Sequence, residues 1–199
     1  MRHLSSDARA LVSPAAAFRE LALTPGDGVY IFARRPLALL MAIGSTVSIL
    51  ADGRLTARLV VDGAISFAFI PLFEIAALAV VVRRMPRRVP FAHAVDLLFA
   101  ANGPWIVWML ALSALASALA PQDLPRWTAT PRMWIVAAAT ALAIGWLVRL
   151  EFHVFRDAFE RSRAQAARDV LLQRALAWSA GTLYFFGFAL WPILVGMLR

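Results

Sequence analysis

Glu74 is the side chain of this sequence best placed to do chemistry. It interrupts an otherwise charge-free apolar run, 63–82, and stands eight residues before its end. At about 1.5 Å of helical rise per residue, that is roughly 12 Å inside a membrane span. A carboxylate at such depth costs at least about 2.5 kcal/mol. It is therefore expected to be neutralised, paired or turned toward a polar cavity. Pro71, three residues earlier, loosens the backbone beside it. The chemistry this arrangement offers is a proton or cation site inside the membrane. The alternative is a carboxyl bonded to polar groups of a neighbouring helix, holding the bundle together.

A second constellation, Asn102-Gly103-Pro104, lies in the run 97–119. An amide followed by Gly and Pro predicts a break or kink at membrane depth. Broken helices line substrate sites in transporters, and they also occur as plain packing kinks. By residue counting Asn102 lies at a depth similar to that of Glu74, which predicts a Glu74–Asn102 hydrogen bond. Glu74, Asn102 and Pro104 are thus the candidate intramembrane polar site. Asp96 either complements the start of its own helix or pairs with an Arg of 83–88.

Most other chemistry is excluded by composition. The chain has no Cys, which removes disulfides, thiolate metal sites and S-palmitoylation. All twenty basic residues are Arg, so there is no Schiff-base or P-loop lysine. His3, His93 and His153 are the only histidines and none falls in mid-span. Two of them at one edge do not make a zinc site, which takes three or four ligands. No hydrolase elbow, Walker A loop or H-E-x-x-H pair is present. No metal, cofactor or catalytic residue is expected, and the chain is not expected to be an enzyme.

The elements that position these residues are membrane spans. The chain is 61% hydrophobic and 16% charged, with a mean hydropathy of +0.71. Soluble domains are nearer half apolar and a quarter charged. The excess is gathered in blocks that predict an all-α, polytopic membrane bundle of about five spans: 36–51, 63–82, 97–119, 133–150 and 175–198. The first and fourth are short against the roughly 20 residues a span needs. They are expected to borrow Tyr30–Ala33 and Leu150, Phe152 and Val154.

Loop charge sets the orientation. With the N-terminus inside, the cytoplasmic segments 1–35, 83–90 and 149–174 hold five, four and six Arg, against five Arg outside. That is the asymmetry of the positive-inside rule. The net charge of +8 accordingly reads as span flanks meeting anionic lipid; no nucleic acid is expected. Most Trp residues fall near predicted span ends, at headgroup level, whereas Trp105 and Trp108 are expected to pack between helices. Residues 1–24 carry charges at Arg2, Asp7, Arg9, Arg19 and Glu20, unlike a signal peptide, so the first span is expected to direct insertion.

Two segments outside the spans are amphipathic. In the arm 1–35, residues 14–23 predict a short helix, with Ser13 able to cap it and Pro14 in its first turn. Leu11, Phe18 and Leu21 share one face, and Thr24-Pro25-Gly26-Asp27-Gly28 stops the helix. It is expected either to lie on the inner leaflet or to be a solvated arm. The linker 151–174 has no Gly or Pro, which predicts that the fourth helix continues into the cytoplasm. There Phe152, Phe155 and Phe159 form a stripe, and Asp157 and Arg161 an i,i+4 pair. With Arg163 and Arg168, the stripe is a candidate partner or lipid surface; its alternative is packing on the protein's own cytoplasmic face. Small residues at spacing four, Ala137, Ala141 and Gly145 in one span and Ser113 and Ser117 in another, predict close helix packing.

The order of parts resembles a known family. A Pro-containing arm, Ser13-Pro14-Ala15-Ala16-Ala17-Phe18-Arg19-Glu20-Leu21-Ala22, precedes an early span. A Pro-bearing third span follows, Asp96-Leu97-Leu98-Phe99-Ala100-Ala101-Asn102-Gly103-Pro104-Trp105. Two further spans and a basic linker close the chain. This layout resembles the bacterial branch of the Yip1 domain family, five-span proteins of about this length. Eukaryotic members act in vesicle trafficking, contact Rab GTPases and carry an Asp-Leu-Tyr-Gly-Pro type motif. That motif is absent here, so no GTPase-binding residue carries over. The resemblance implies a non-enzymatic membrane protein.

Together these features predict a non-catalytic accessory or scaffold subunit in a bacterial inner membrane, with the bilayer and a membrane protein as its partners. The Arg and Ala bias, read as a GC-rich genome, supports the bacterial origin. A small transporter or channel built on Glu74 is the first alternative. A quinone- or haem-associated subunit of a redox complex is the second.

Overall fold

The structure, a computed structural model, describes residues 8–24, 28–85, 89–118 and 132–197. His3, the stop residues Pro25, Gly26 and Asp27, and the segment bearing Arg126 and Trp127 lie outside them. The described residues form α-helices and no strands. A helical turn at 8–12 leads into α1 (Pro14–Leu23), then α2 (Gly28–Asp52), α3 (Ala57–Ser66), α4 (Phe69–Val82), α5 (Phe91–Ala100) and α6 (Gly103–Ser117). α7 (Arg132–His153) ends in a π-helical turn at Val154–Ala158, and α8 (Arg163–Met197) follows.

Proline sets the breaks. α3 and α4 are halves of one apolar stretch, Ala57–Val82, parted at Phe67 and Ala68. Pro71 has no N–H for the Phe67 carbonyl, and its ring crowds that carbonyl. Pro104 does the same to Ala100, the last residue of α5. α5 and α6 consequently meet at an angle of 47°, at the predicted Asn102-Gly103-Pro104 position. Pro36 lies inside α2 without ending it, and α2 runs 25 residues by starting at Gly28. The helix of the short first run thus includes Tyr30–Ala33, whereas its stretch apolar enough to cross a membrane begins at Arg34.

Among the described residues, three stretches are long and apolar enough to cross a membrane: Arg34–Asp52, Ala57–Val82 and Met133–Ala158. The bent pair α5–α6 makes a fourth if it acts as one span. α8 has 35 residues, about 52 Å of helix against a hydrocarbon core of about 30 Å. Only 17% of the Met133–Ala158 window is buried. Trp134, Ile135, Leu142, Leu183 and Phe188 are among the large apolar side chains that point outward. An apolar exterior of this extent belongs against a bilayer.

The helices pack with defined directions. α2 and α3 run antiparallel and touch through backbone at Gly44 and Gly63, where a Cβ on Gly44 would lie 2.2 Å from the Val60 carbonyl oxygen. α2 runs parallel to α5–α6. Arg35 holds Asp96 at one end of this seam, and at the other Ser113 Oγ donates to Thr46 Oγ1 at 2.8 Å. α4 and α8 run antiparallel, with Tyr184 packed 4.8 Å from Phe69 and 5.8 Å from Phe73. The core between them holds Leu39, Leu78, Leu97, Leu98, Phe99 and Leu150.

Several expectations change. The fourth helix does not continue through 174. Its end widens into the π turn, and the chain reverses over 159–162, with Glu160 in the left-handed region at φ 55°. Lack of Gly and Pro was not enough to keep it helical, because the reversal lets Phe155 and Phe159 enter the core. They are 0% and 3% exposed, with ring centroids 5.5 Å apart. These two rings are therefore no partner or lipid surface, and Phe152 is half-buried; only Arg163 and Arg168 of that candidate surface stay exposed. Asp157 does not pair with Arg161: it takes Arg19 at 3.0 Å and His153 at 2.7 Å, and Arg161 turns to Asp169.

α1 is not a free arm, because its apolar face turns into the protein. Ala17, Phe18 and Leu21 are buried in the protein's own core, beside the π turn and α5. Pro14 occupies its first turn, and Ser13 makes no side-chain cap. Of the small-residue stripes, Ser113 packs inward, whereas Ala137, Ala141, Gly145 and Ser117 face outward.

Gly44→Ala should destabilise the α2–α3 pair by about 1–3 kcal/mol, the cost of forcing extra volume into a closed contact. Gly145→Ala, with nothing within 4 Å, should be neutral. Detergent-induced unfolding of the two variants checks this; equal stability would show that α2 and α3 do not pack through Gly44.

Candidate functional site

Four helical segments bring polar side chains to one point inside the bundle. Arg174 of α8 is the centre. Its Nε donates to Glu151 Oε2 at 2.7 Å, and its Nη2 donates to the other oxygen of the same carboxylate. Its Nη1 donates to Glu74 Oε1 at 2.8 Å. Asn102 Nδ2 donates to Glu74 Oε2 at 3.2 Å, which is the hydrogen bond that residue counting predicts. Arg174, Glu74, Glu151 and Asn102 are all buried. The guanidinium also stands 5.7 Å over the Trp178 ring, a cation–π distance.

Local structure explains each placement. Glu74 follows the Pro71 break, one turn into α4. Asn102 sits in the bend between α5 and α6, where the chain leaves the helical path and its amide reaches across to α4. Pro104 makes that bend and is buried. Glu151 lies two residues before the end of α7. Because α4 and α8 are antiparallel, the residues before Arg174 run beside the last turns of α4, and Ala166 and Val170 are in the core. The second half of the linker 151–174 is therefore part of the packed bundle.

The charges in this cluster do not balance. An Arg side chain stays charged, and the fork of Nε and Nη2 on Glu151 is a complete bidentate pair. Glu74 is the second carboxylate on one cation. With both carboxylates ionised, the cluster carries one net negative charge shared by two carboxylates on one guanidinium, and Glu74 is the one held by a single guanidinium nitrogen. No other cation pairs with Glu74 among the described residues.

Glu74 also lines a cleft of about 400 Å³, and Glu151 does not. The cleft walls are mainly apolar and aromatic, with Leu39, Phe69, Trp105, Leu147, Trp178 and Phe186 among them. It reaches the outside of the bundle along α8, where Trp178, Phe185 and Phe186 are about half exposed. Pro104 is not on its wall. The arrangement can hold a small apolar molecule against one unbalanced carboxylate.

A second cavity, of about 620 Å³, lies at the other polar end of the fold and is lined by Arg19, Val89, His93, Arg156, Asp157 and Arg161, among others. It joins α1, the segment before α5 and the α7–α8 reversal, which are the three Arg-rich segments. They therefore share one end of the bundle. His93 is buried there with neither ring nitrogen hydrogen-bonded among the described residues. No group of three or more metal-ligating side chains occurs among the described residues. Asp96 pairs with Arg35 and, at 3.9 Å, with Arg34; Arg87 and Arg88 of the expected 83–88 partners lie outside the described residues.

Sequence reasoning found Glu74 and Asn102 and missed Glu151 and Arg174. The signal for them was present. A buried carboxylate calls for a cation, and Arg174 is the residue that opens the charge-free run before 198. Comparison with protein-family models, curated proteins and solved structures gives no match for this chain.

Arg174→Met leaves two buried carboxylates without a cation and should cost about 3–5 kcal/mol. Adding Glu74→Gln and Glu151→Gln to it should recover most of that loss, since the charges then vanish together. Unfolding in mixed micelles measures both. A loss below about 1 kcal/mol for Arg174→Met alone, the worth of an exposed pair, would mean the cluster is solvated.

Proposed function

We propose that this chain is a non-catalytic, five-span membrane protein that works as a small carrier, with Glu74 as its intramembrane site. The observation behind this reading is that Glu74, the second of two carboxylates on one guanidinium, stands on the wall of an aromatic cleft. A cluster serving only to join helices would be expected to close on itself in charge and in space. This one leaves a negative charge facing a space that admits a small molecule, next to a broken helix of the kind that lines transport sites.

Five spans and an inside N-terminus fit the helix directions. α2 and α5–α6 are parallel and α4 and α8 antiparallel, as alternating crossings require. The convergence of the Arg-rich segments at one end agrees with a cytoplasmic face. The Yip1-like layout agrees with the same topology and rests on the order of parts. A bacterial inner membrane is the setting we assign, from the loop charge and the composition.

A second reading, an accessory subunit, is favoured by one observation. Ala137, Ala141 and Gly145 present a small-residue face on α7 that no helix covers among the described residues, and such faces associate in membranes.

The absence of native Cys makes topology directly testable. Leu55→Cys should react with an impermeant maleimide in intact spheroplasts, and Ser162→Cys only after lysis; the reverse pattern would overturn the orientation. In proteoliposomes, the wild-type chain should carry protons or a monovalent cation, and Glu74→Gln should abolish the flux. Undiminished flux in that variant would make Glu74 structural.

A further inference from the structure

The walls of the cleft narrow what Glu74 can hold. A hard metal cation takes six or more oxygen ligands. Here the polar groups on the wall are few: Glu74, Asn102, Arg174 and Thr182. Both of the Glu74 oxygens already accept a hydrogen bond, and three Arg174 donors are committed to carboxylates. What the cleft has in quantity is aromatic surface: Phe69, Trp105, Trp178, Phe185 and Phe186. Aromatic faces attract cations, most strongly where water is excluded. The volume of about 400 Å³ lies within the range of small-molecule pockets, about 300–1,000 Å³.

Access points the same way. The exposed rims of the cleft, Trp178, Phe185 and Phe186, lie on α8 within the apolar run that follows Arg174. A ligand reaching it laterally comes from the hydrocarbon and must itself be soluble there. An anion is disfavoured by the net charge of the cluster, and a neutral apolar molecule leaves that charge unmet.

We propose that the cleft between α4, α6, α7 and α8 binds a lipophilic organic monocation, a hydrophobic amine or quaternary ammonium or phosphonium ion, with Glu74 as its counter-ion and Trp178 and Phe186 on its apolar body. This rests on the reading of Glu74 as a carrier site and names the substrate class of that site.

The test uses the full chain in nanodiscs of neutral lipid and two probes of similar shape, tetraphenylphosphonium and the uncharged triphenylphosphine oxide. Equilibrium dialysis should show saturable binding of the cation, at least tenfold tighter than the neutral probe. Glu74→Gln should remove that preference. Phe186→Ala, at an exposed position outside the ion cluster, should weaken cation binding severalfold while leaving the size-exclusion profile of the protein unchanged. Equal binding of both probes, unaffected by Glu74→Gln, would overturn the inference and the carrier site together. No binding of tetraphenylphosphonium, with proton or alkali-cation flux still dependent on Glu74, would overturn the organic-cation inference and leave the carrier reading standing.

Discussion

A guanidinium taken out of water into a helical bundle must be met by carboxylates, because an unpaired charge there is too costly to keep. In this protein two carboxylates reach Arg174 from two other helices. Glu151 takes the flat fork of the guanidinium, and Glu74 takes the nitrogen left over. That single requirement fixes how α4, α7 and α8 stand together. It sets the antiparallel register of α4 and α8, which the Phe69–Tyr184 and Phe73–Tyr184 ring contacts then hold further along. It also draws the residues just before Arg174 into the bundle. The two proline breaks serve the same point. One lets Glu74 start a fresh helix, and the other turns Asn102 out of its helix and onto Glu74.

The rest of the fold is held by cheaper means. α2 and α3 meet through Gly44 and Gly63, where backbones approach because no side chain intervenes. The Thr46–Ser113 hydrogen bond joins α2 to α6, and both hydroxyls also reach the Met109 carbonyl. At the Arg-rich end, α1 seals the bundle with Phe18, and its Arg19 reaches Asp157 across the α7–α8 reversal. At this end one cation meets one carboxylate in the buried Arg161–Asp169 pair, whereas Arg174 holds two carboxylates, of which Glu74 lines a cleft. The contrast is why the functional reading falls on the second and not on the first.

Much of this was legible in the sequence, and the misses have physical causes. Runs without charge located the apolar stretches, and Pro71 and Pro104 located the breaks, because both are local properties of the backbone. The Glu74–Asn102 bond followed from depth alone. The partner of Glu74 did not, since nothing local says which of twenty Arg residues turns inward. Arg174 stands where a basic flank is ordinary, and only the antiparallel return of α8 buries it. The stripe Phe152–Phe155–Phe159 was read as a straight helix face. The π turn rotates the last two rings into the core, and helical periodicity cannot anticipate a change of pitch. The outward face of Ala137, Ala141 and Gly145 shows the converse: close-packing residues were identified, with no neighbour among the described residues to pack on them.

The central claim is that Arg174 is buried and held by Glu151 and Glu74, and the exchange of its Nε hydrogen with water tests that most directly. Proton–nitrogen correlation spectra of the Arg-labelled protein in micelles, with the Arg174 signal assigned by its loss in Arg174→Lys, give the rate. The account predicts exchange far slower for Arg174 than for the exposed Arg163 and Arg168, and a marked acceleration in Glu151→Gln. An Arg174 hydrogen that exchanges as fast as those of Arg163 and Arg168 would contradict the cluster, and with it the cleft chemistry built on Glu74.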